Sequence, residues 1–278
     1  MEFIRALVSG IIGGFTCVSP VSWEGHLKLS EFLYFDVNKP YTDSILPLVI
    51  IFAVIISLVY FSKDNILYIL KEIVEIFKYI KNNNFKLENG EKSRNDLFMI
   101  IFASVPFLLT PLFFFLFKGM ANNLLMIALA FVISGLFMYF ADGVRERRFA
   151  YKNENPFNAV SVGIFNLFSA MPGISGISGM YFSCMKNNFT KEFSLKFIYL
   201  LTIIYMFFSF IRKAIALTNG VVINFNIFSY ILAFAGALVA SYYAIKLVET
   251  AMKKSHLKYY GFYNIILAVF ILLVWIRG

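Results

Sequence analysis

Residues 172–179 have the sequence Pro-Gly-Ile-Ser-Gly-Ile-Ser-Gly and interrupt an apolar stretch that covers residues 157–187. A similar break, Pro-Val-Ser-Trp-Glu-Gly-His at positions 20–26, interrupts residues 3–35. Proline and repeated glycine disfavour a continuous helix through either break. Each stretch therefore predicts a re-entrant hairpin, in which a helix, an irregular turn and a second helix lie at membrane depth. Such a turn is stable there only when it is buried in protein or lines a polar cavity.

The composition indicates a polytopic membrane protein. Hydrophobic residues make up 60% of the 278-residue chain, charged residues make up 15%, and the mean hydropathy is +0.75. Soluble domains contain about 45–50% apolar and about 25% charged residues, so a soluble enzyme is excluded. A membrane span needs about 20 apolar residues. Six segments meet this requirement: 43–62, 97–117, 123–141, 192–213, 221–245 and 260–277.

The order of hairpins and spans predicts a single all-α membrane domain, residues 1–278, built as an inverted repeat. Residues 1–141 contain one hairpin and three spans, residues 142–156 form a connecting loop, and residues 157–278 contain a second hairpin and three spans. Because each half has an odd number of spans, the two halves have opposite orientations. In such repeats the functional site lies near the midplane, where broken segments meet. The alternative is six ordinary helices with two glycine-rich kinks.

The basic residues predict the orientation of the chain. Its net charge of +9 is typical of cytoplasmic loops that face anionic lipid, so we expect the membrane as partner and no nucleic acid. One set of loops contains 17 Lys and Arg residues and the opposite set contains 4, which predicts that the first set is cytoplasmic. The first set is 63–96, 142–156, 186–191 and 246–259, and the second is 36–42, 118–122 and 212–220.

The first break carries the densest group of polar and ionisable side chains. Ser22, Glu24, His26 and Lys28 fall within one short turn and flank Gly25. A charge within the membrane is costly and is therefore a functional candidate. A histidine can transfer protons near neutral pH, and Glu24 and Lys28 are spaced to pair on a helix. The alternative is a solvated turn at the outer interface.

The second break contains no charge but is typical of an anion site. Gly173, Gly176 and Gly179 alternate with Ser175 and Ser178. Glycines allow successive N–H groups to converge on an anion, and the following helix adds its positive N-terminal end. The segment therefore predicts a phosphate cradle, although it lacks the spacing of a P-loop. The alternative, a Gly/Ser kink for helix packing, is equally compatible with these residues.

These breaks resemble the signatures of a known family. The sequence Pro-Val-Ser-Trp-Glu-Gly-His-Leu at 20–27 is similar to the Pro-(Val/Ile)-Ser-Ser-Thr-Gly-His-Leu signature of bacterial undecaprenyl-pyrophosphate phosphatases, the bacitracin-resistance proteins. Pro-Gly-Ile-Ser at 172–175 resembles the start of the second signature, Pro-Gly-x-Ser-Arg-Ser-Gly. Glu-Phe-Ser at 192–194 is also similar to a family motif. The resemblance covers nearly the whole chain and implies an inverted-repeat fold with an extracytoplasmic substrate site.

The chain departs from the family at residues associated with metal and pyrophosphate binding. Two acidic or amide residues that precede the first proline in the family are Gly13 and Cys17 here. The Ser-Ser-Thr triplet is Ser22-Trp23-Glu24, and the arginine of the second signature is Gly176. Loss of a charged clamp on a phosphoryl group typically lowers the rate by orders of magnitude.

The resemblance implies a phosphatase of the bacterial cell membrane that removes the terminal phosphate of a C55 polyprenyl diphosphate. His26 would be the proton shuttle or nucleophile, and Ser22 and Ser175 would contact phosphate oxygens. Residues 173–179 would form the cradle together with Gly25 and Lys28. Glu24 would act at the catalytic centre and could hold Mg²⁺ or Ca²⁺ as cofactor.

Two other functions are compatible with the sequence. A catalytically impaired relative would bind the polyprenyl phosphate or move it across the membrane, since inverted repeats with midplane hairpins are also transporter architectures. A transporter of an unrelated small solute is the second. For the phosphatase and for its catalytically impaired relative, the expected partner is a polyprenyl (di)phosphate lipid. We also consider a homodimer.

The charge asymmetry predicts the location of residues 82–92. Cysteines introduced there should resist an impermeant thiol reagent in intact cells and react after lysis, because we expect this loop in the cytoplasm. Reaction in intact cells would invert the orientation of the protein.

Overall fold

Helices are the only regular secondary structure in the residues that the structure describes. This computed structural model describes residues 2–34, 45–82, 91–120, 122–144, 155–220, 223 and 226–277, without the side chains of 31–34, 79–82, 91–94, 219 and 277. The predicted connecting loop at 142–156 and the prediction for 82–92 therefore lie largely outside the described residues. The α-helices are α1 (Glu2–Cys17), α2 (Trp23–Tyr34), α3 (Leu46–Asn82), α4 (Glu91–Ser104), α5 (Thr110–Phe117), α6 (Leu124–Asp142), α7 (Pro156–Leu167), α8 (Gly176–Lys186), α9 (Lys191–Ala216), α10 (Ile227–Lys253) and α11 (Lys258–Arg277).

The six predicted spans are confirmed, with two differences in detail. Six apolar segments among the described residues are long enough to cross a membrane. α3 has 37 residues, or about 55 Å at 1.5 Å per residue, and so extends well beyond the predicted span. The span predicted at 97–117 is divided by a 3₁₀ turn at Val105–Leu109. Pro106 lies in this turn and has no N–H to continue the α-helical hydrogen bonds.

Both predicted breaks separate two short helices that pack against each other. α1 contacts α2 across residues 18–22, and α7 contacts α8 across residues 168–175. The second break includes a short 3₁₀ helix, Phe168–Ala170, before α8 begins. Both breaks are therefore helix–turn–helix units, as expected of the hairpins, while their re-entrant depth in a membrane stays a prediction.

The two halves of the chain exchange equivalent contacts. α1 packs on α10, and Gly10 approaches the backbone of Ala233 so closely that a Cβ atom would clash. The first helix of the second hairpin, α7, packs in the same manner on α4, with Gly163 against the backbone of Ala103. The last helices of the halves, α6 and α11, pack on each other, and a Cβ added to Gly135 or to Gly261 would lie 2.8 Å from the other's carbonyl oxygen.

The packing of α1 on α10 thus has a counterpart in the packing of α7 on α4, and the contact between α6 and α11 is its own counterpart. A two-fold relation between residues 1–141 and 157–278 would produce this pattern. The contacts support the predicted inverted repeat, whose opposite orientation in the membrane stays a prediction.

Gly173 has the most constrained backbone of the second break. Its φ of +106° is unfavourable for other residues, and a Cβ atom would lie 2.6 Å from both Ala130 Cβ and the Ile127 carbonyl oxygen. We expect Gly173→Ala to destabilise the detergent-solubilised protein by roughly 2–4 kcal/mol, from strain and overpacking together. A thermal unfolding series checks this value.

Gly119→Ala is the matched control, since a Cβ there meets no atom within 4 Å. It should unfold at the wild-type temperature. Equal stability of the two variants would contradict the close contact between the second break and α6.

Candidate active site

The turns of the two hairpins meet in the interior of the protein. Ser22 is 2% exposed, and its hydroxyl oxygen accepts hydrogen bonds from Gly173 N–H at 2.9 Å and from Gly25 N–H at 3.2 Å. A Cβ added to Gly25 would lie 2.8 Å from the Gly173 nitrogen, so a larger residue would separate the turns. Ser22 therefore joins the first turn to the second and also caps the N-terminus of α2.

Each turn is also held by the last helix of the other half. The buried Ser134 of α6 donates to the Gly173 carbonyl at 3.0 Å and accepts from Ser175 N–H at 2.7 Å. The buried Asn264 of α11 donates through Nδ2 to the Pro20 carbonyl at 3.1 Å. These bonds satisfy backbone groups that would otherwise be buried without partners. Sequence reasoning did not identify Ser134 or Asn264, because each is a single polar residue in an apolar span.

The glycine-rich segment only partly resembles the predicted cradle. The N–H groups of Gly173 and Ser175 bond to Ser22 and Ser134, and Ser178 N–H bonds to the Ser175 hydroxyl at 3.3 Å as an N-cap. Gly179 packs against the α7 backbone, where a Cβ would lie 2.8 Å from a carbonyl oxygen. The packing interpretation thus accounts for Gly173 and Gly179.

An anion could still bind at the start of α8. The first N–H groups of an α-helix have no acceptor within the helix, and those of Gly176 and Ile177 belong to the first turn of α8. The N-terminal ends of α2 and α8 both carry partial positive charge. Because Ser22 and Ser175 cap these two ends and line one cavity, the two fields act on the same space.

We call this space the tip cavity. Its volume is about 30 Å³, which is enough for one or two water molecules and too small for a diphosphate. None of the described residues that line it carries a formal charge. They are Thr16, Cys17, Ser19, Val21, Ser22, Trp23, Asn166, Ser169, Ile174, Ser175, Gly176, Ile177, Met180, Thr202, Tyr205 and Met206.

Asn166 is the most polar side chain in the tip cavity. It is 1% exposed, and neither its Oδ1 nor its Nδ2 has a hydrogen-bond partner among the described residues. The Ser19 hydroxyl, also fully buried, has no partner there either. A buried polar group without a partner costs about 1–3 kcal/mol. Retention of both groups in one small cavity therefore points to a polar ligand or water.

The positions that depart from the family signatures are filled by other side chains. A Cβ added to Gly13 would lie 2.7 Å from Ile50 of α3, and one added to Gly176 would collide with Oδ1 of Asn166. Cys17 is buried and lines the tip cavity. Restoring glutamates at Gly13 and Cys17 with an arginine at Gly176 would therefore overpack two of the three positions. The triple replacement would require the side chains of Ile50 and Asn166 to move.

His26 and Glu24 lie on different sides of α2, although the sequence placed them in one site. The His26 ring stacks on Tyr263 at 5.7 Å and has an edge contact with Phe131 at 5.3 Å. Its Nδ1 lies 2.6 Å from the Ser22 carbonyl oxygen, and its Nε2 lies 2.8 Å from the Tyr263 hydroxyl. His26 is not among the described residues that line the tip cavity. Its ring lies against Phe131 of α6 and Tyr263 of α11.

Glu24 forms an ion pair with α9 that the sequence did not predict. Its Oε1 lies 3.1 Å from the ammonium of Lys213, and both side chains are mostly buried, at 20% and 18% exposure. The ammonium of Lys213 also lies 5.0 Å from the centre of the Trp23 ring. The sequence predicts Lys28 as a partner of Glu24, which stays a prediction, and the structure supplies Lys213 as a partner from a distant part of the chain.

Glu24 and Lys28 both line a second cavity, which we call the basic cavity. Its volume is about 380 Å³. The described residues that line it are Glu24, Lys28, Phe114, Phe115, Phe117, Lys118, Ala170, Pro172, Arg212 and Lys213. In the sequence, Arg212 and Lys213 contribute only to the count of loop charges. The signal that could have identified them as site residues is a pair of adjacent cations at the end of an apolar span.

The described residues do not fit a resident divalent cation. They contain no group of three His, Cys, Asp or Glu side chains that could hold a metal, and Glu24, the one carboxylate lining either cavity, is paired with Lys213. Mg²⁺ is usually bound by one or two carboxylates together with substrate phosphates. The cofactor at Glu24 stays a prediction.

Comparison with known proteins shows the family of this chain. The family model described as bacitracin resistance protein BacA matches residues 6–270. An undecaprenyl-diphosphatase of Alkaliphilus metalliredigens is 27% identical over 268 residues, which are 95% of this chain and 95% of the relative. The undecaprenyl-diphosphatase of Christiangramia forsetii is 29% identical over 95% of this chain and 94% of its own. That of Methanococcus maripaludis is 24% identical over 97% and 99%. With nearly its whole length matched, the chain belongs to the bacitracin resistance protein BacA family.

Proposed function

We propose that this protein is a multi-pass phosphatase of the bacterial plasma membrane that hydrolyses undecaprenyl diphosphate to undecaprenyl phosphate and inorganic phosphate. One observation carries the proposal: the N-terminal ends of α2 and α8 line a single cavity that also holds the unpaired polar groups of Asn166 and Ser19, in a chain of the BacA family. Helix N-termini bind phosphate groups, and the names of the relatives supply the substrate. The same names favour hydrolysis over the transport of a polyprenyl phosphate.

The tip cavity suggests how the reaction is arranged. The cavity, with a volume of about 30 Å³, holds the attacking water, and the diphosphate lies at the mouth of the cavity. Water attacks the terminal phosphorus, the bond to the bridging oxygen breaks, that oxygen leaves with undecaprenyl phosphate, and one proton of the water passes to an oxygen of the released phosphate. Asn166 and the Ser175 hydroxyl orient the water, and the N–H groups of Gly176 and Ile177 stabilise charge on the terminal phosphate.

The role of His26 follows from its hydrogen bonds. With Nδ1 on the Ser22 carbonyl and Nε2 on Tyr263, the ring positions the residue that joins the two turns. We propose that His26 holds Ser22 in place and does not contact the phosphate, which revises the shuttle or nucleophile suggested by the family resemblance.

Phosphate release from purified protein tests the function. We expect turnover of C55 diphosphate in detergent, and a loss of roughly 100-fold or more in the double variant Ser22→Ala/Ser175→Ala, because it removes the hydroxyl that joins the two turns and the hydroxyl proposed to orient the water. Chelation followed by Mg²⁺ or Ca²⁺ tests the predicted cofactor, and the mass of the solubilised protein tests the homodimer. Binding of the lipid by monodisperse wild type without phosphate release would contradict the proposal and support the transport alternative.

Two replacements of His26 distinguish positioning from acid–base chemistry. Asparagine places an amide N–H near the position of Nδ1 but cannot transfer a proton, so His26→Asn should keep activity within about tenfold of wild type. His26→Ala loses the hydrogen bond and should be slower than His26→Asn. If His26 were a general acid or base, its loss would lower the rate by about 10²–10⁴-fold.

The measurements are rates of phosphate release from pH 5 to 9 at matched levels of monodisperse protein. We expect His26→Asn to keep the wild-type pH profile. If both variants lose more than 100-fold, or if a limb of the pH profile disappears with asparagine, His26 is a catalytic residue.

A further inference from the structure

The charges of the candidate site are separated from its tip cavity. The described residues that line the tip cavity are uncharged, whereas the basic cavity contains four cationic side chains and a single carboxylate. A diphosphate brings at least two negative charges, and these need fixed donors or cations in a site of low dielectric constant. The tip cavity alone cannot supply them.

We infer that Arg212 and Lys213 of α9 bind the diphosphate head group in the basic cavity and replace the arginine that the second signature lacks at Gly176. Glu24 is the positioning residue that holds Lys213 toward this site. The inference rests on the proposed function for the identity of the lipid and adds the residues that recognise its head group.

Lys213 lies at the boundary between the two cavities. Its ammonium lies 5.0 Å from the ring centre of Trp23, and Trp23 lines the tip cavity while Lys213 lines the basic cavity. A phosphate bound by Lys213 would therefore lie at the mouth of the tip cavity, next to the proposed water. This position also follows from the size of the tip cavity, which excludes the diphosphate.

The geometry of these cations suits a bridging role. A lysine ammonium has three N–H donors, so Lys213 can bond to Glu24 and to a phosphate oxygen at the same time. The guanidinium of Arg212 lies 3.7 Å from the ring centre of Phe114, an arrangement that fixes the group in place. A planar guanidinium binds two phosphate oxygens through parallel N–H bonds.

The burial of this pair separates it from an ordinary surface ion pair. Lys196 and Glu192, also on α9, lie 2.7 Å apart with side-chain exposures of 51% and 82%. The corresponding exposures of Lys213 and Glu24 are 18% and 20%. Charges shielded from water interact more strongly with a ligand, so Lys213 is the better anion site of the two.

The walls of the basic cavity match an amphipathic ligand. Phe114, Phe115 and Phe117 of α5 line it together with the cations, and Phe115 is 76% exposed. An apolar wall beside a cationic cluster fits a diphosphate attached to a polyprenyl chain. The lipid should therefore bind more tightly than inorganic diphosphate.

Binding of inorganic diphosphate and of C55 diphosphate to the purified protein tests the inference without turnover. Lys213→Met should weaken the binding of both by about 10- to 100-fold, the effect of one hydrogen bond to a charged group, and Lys213→Arg should restore most of it. Lys196→Met is the matched control and should bind both as wild type does, because it lies outside the basic cavity.

The double variant Glu24→Gln/Lys213→Met separates ligand binding from charge neutralisation. If Lys213 binds phosphate, this neutral pair should remain as weak as Lys213→Met. If Lys213 only neutralises Glu24, the double variant should regain wild-type affinity, which would overturn the inference. Wild-type affinity in Lys213→Met would overturn it as well.

The outcomes also distinguish this inference from the proposed function. If the wild type releases no phosphate but Lys213→Met weakens binding, the binding site is supported and the phosphatase is rejected. Phosphate release by a wild type that does not bind inorganic diphosphate supports the phosphatase and rejects this site.

Discussion

The structure depends on satisfying the backbone of two interrupted helices inside an apolar bundle. A polar backbone group left unpaired in a membrane costs several kcal/mol. Ser22, Ser134 and Asn264 are fully or almost fully buried and supply these partners. Each turn is held by the last helix of the other half, Gly173 by Ser134 and Pro20 by Asn264. Bonds within its own half satisfy only part of each turn, such as Val21 N–H on the Ser19 carbonyl and Ile174 N–H on the Met171 carbonyl, so we expect the complete site only when the two halves assemble.

The exchange of hydrogen bonds between the two halves explains why the tip cavity lies between the ends of α2 and α8. Once Ser22 bonds to Gly173, the capped ends of α2 and α8 must lie side by side, and their partial positive charges act on one space. The hydroxyls that cap the helices are the same hydroxyls that face this space. In the proposed site, this architecture supplies a positive field without any charged side chain, and the nearby charged residues add to it.

The sequence predicted the features that depend on local pattern. Six apolar spans and two breaks follow from hydrophobic runs and from Pro and Gly positions, and the structure has all of them. Pairing across the chain was not predictable in this way. His26 and Tyr263 are 237 positions apart, and nothing near Glu24 in the sequence points to Lys213. The helix spacing predicts Lys28 as a partner of Glu24, which stays a prediction, whereas the partner that the structure shows, Lys213, comes from α9.

The departures from the family signatures are better explained by replacement than by decay. Decay would leave empty volumes at Gly13 and Gly176, whereas Ile50 and Asn166 occupy them. Two residues that differ from the first signature, Trp23 and Glu24, both contact Lys213. An isolated loss would not be expected to bring a new aromatic ring, a new carboxylate and a lysine into one contact. This clustering favours a site whose charge is supplied by α9, with Asn166 as a neutral polar group at the centre.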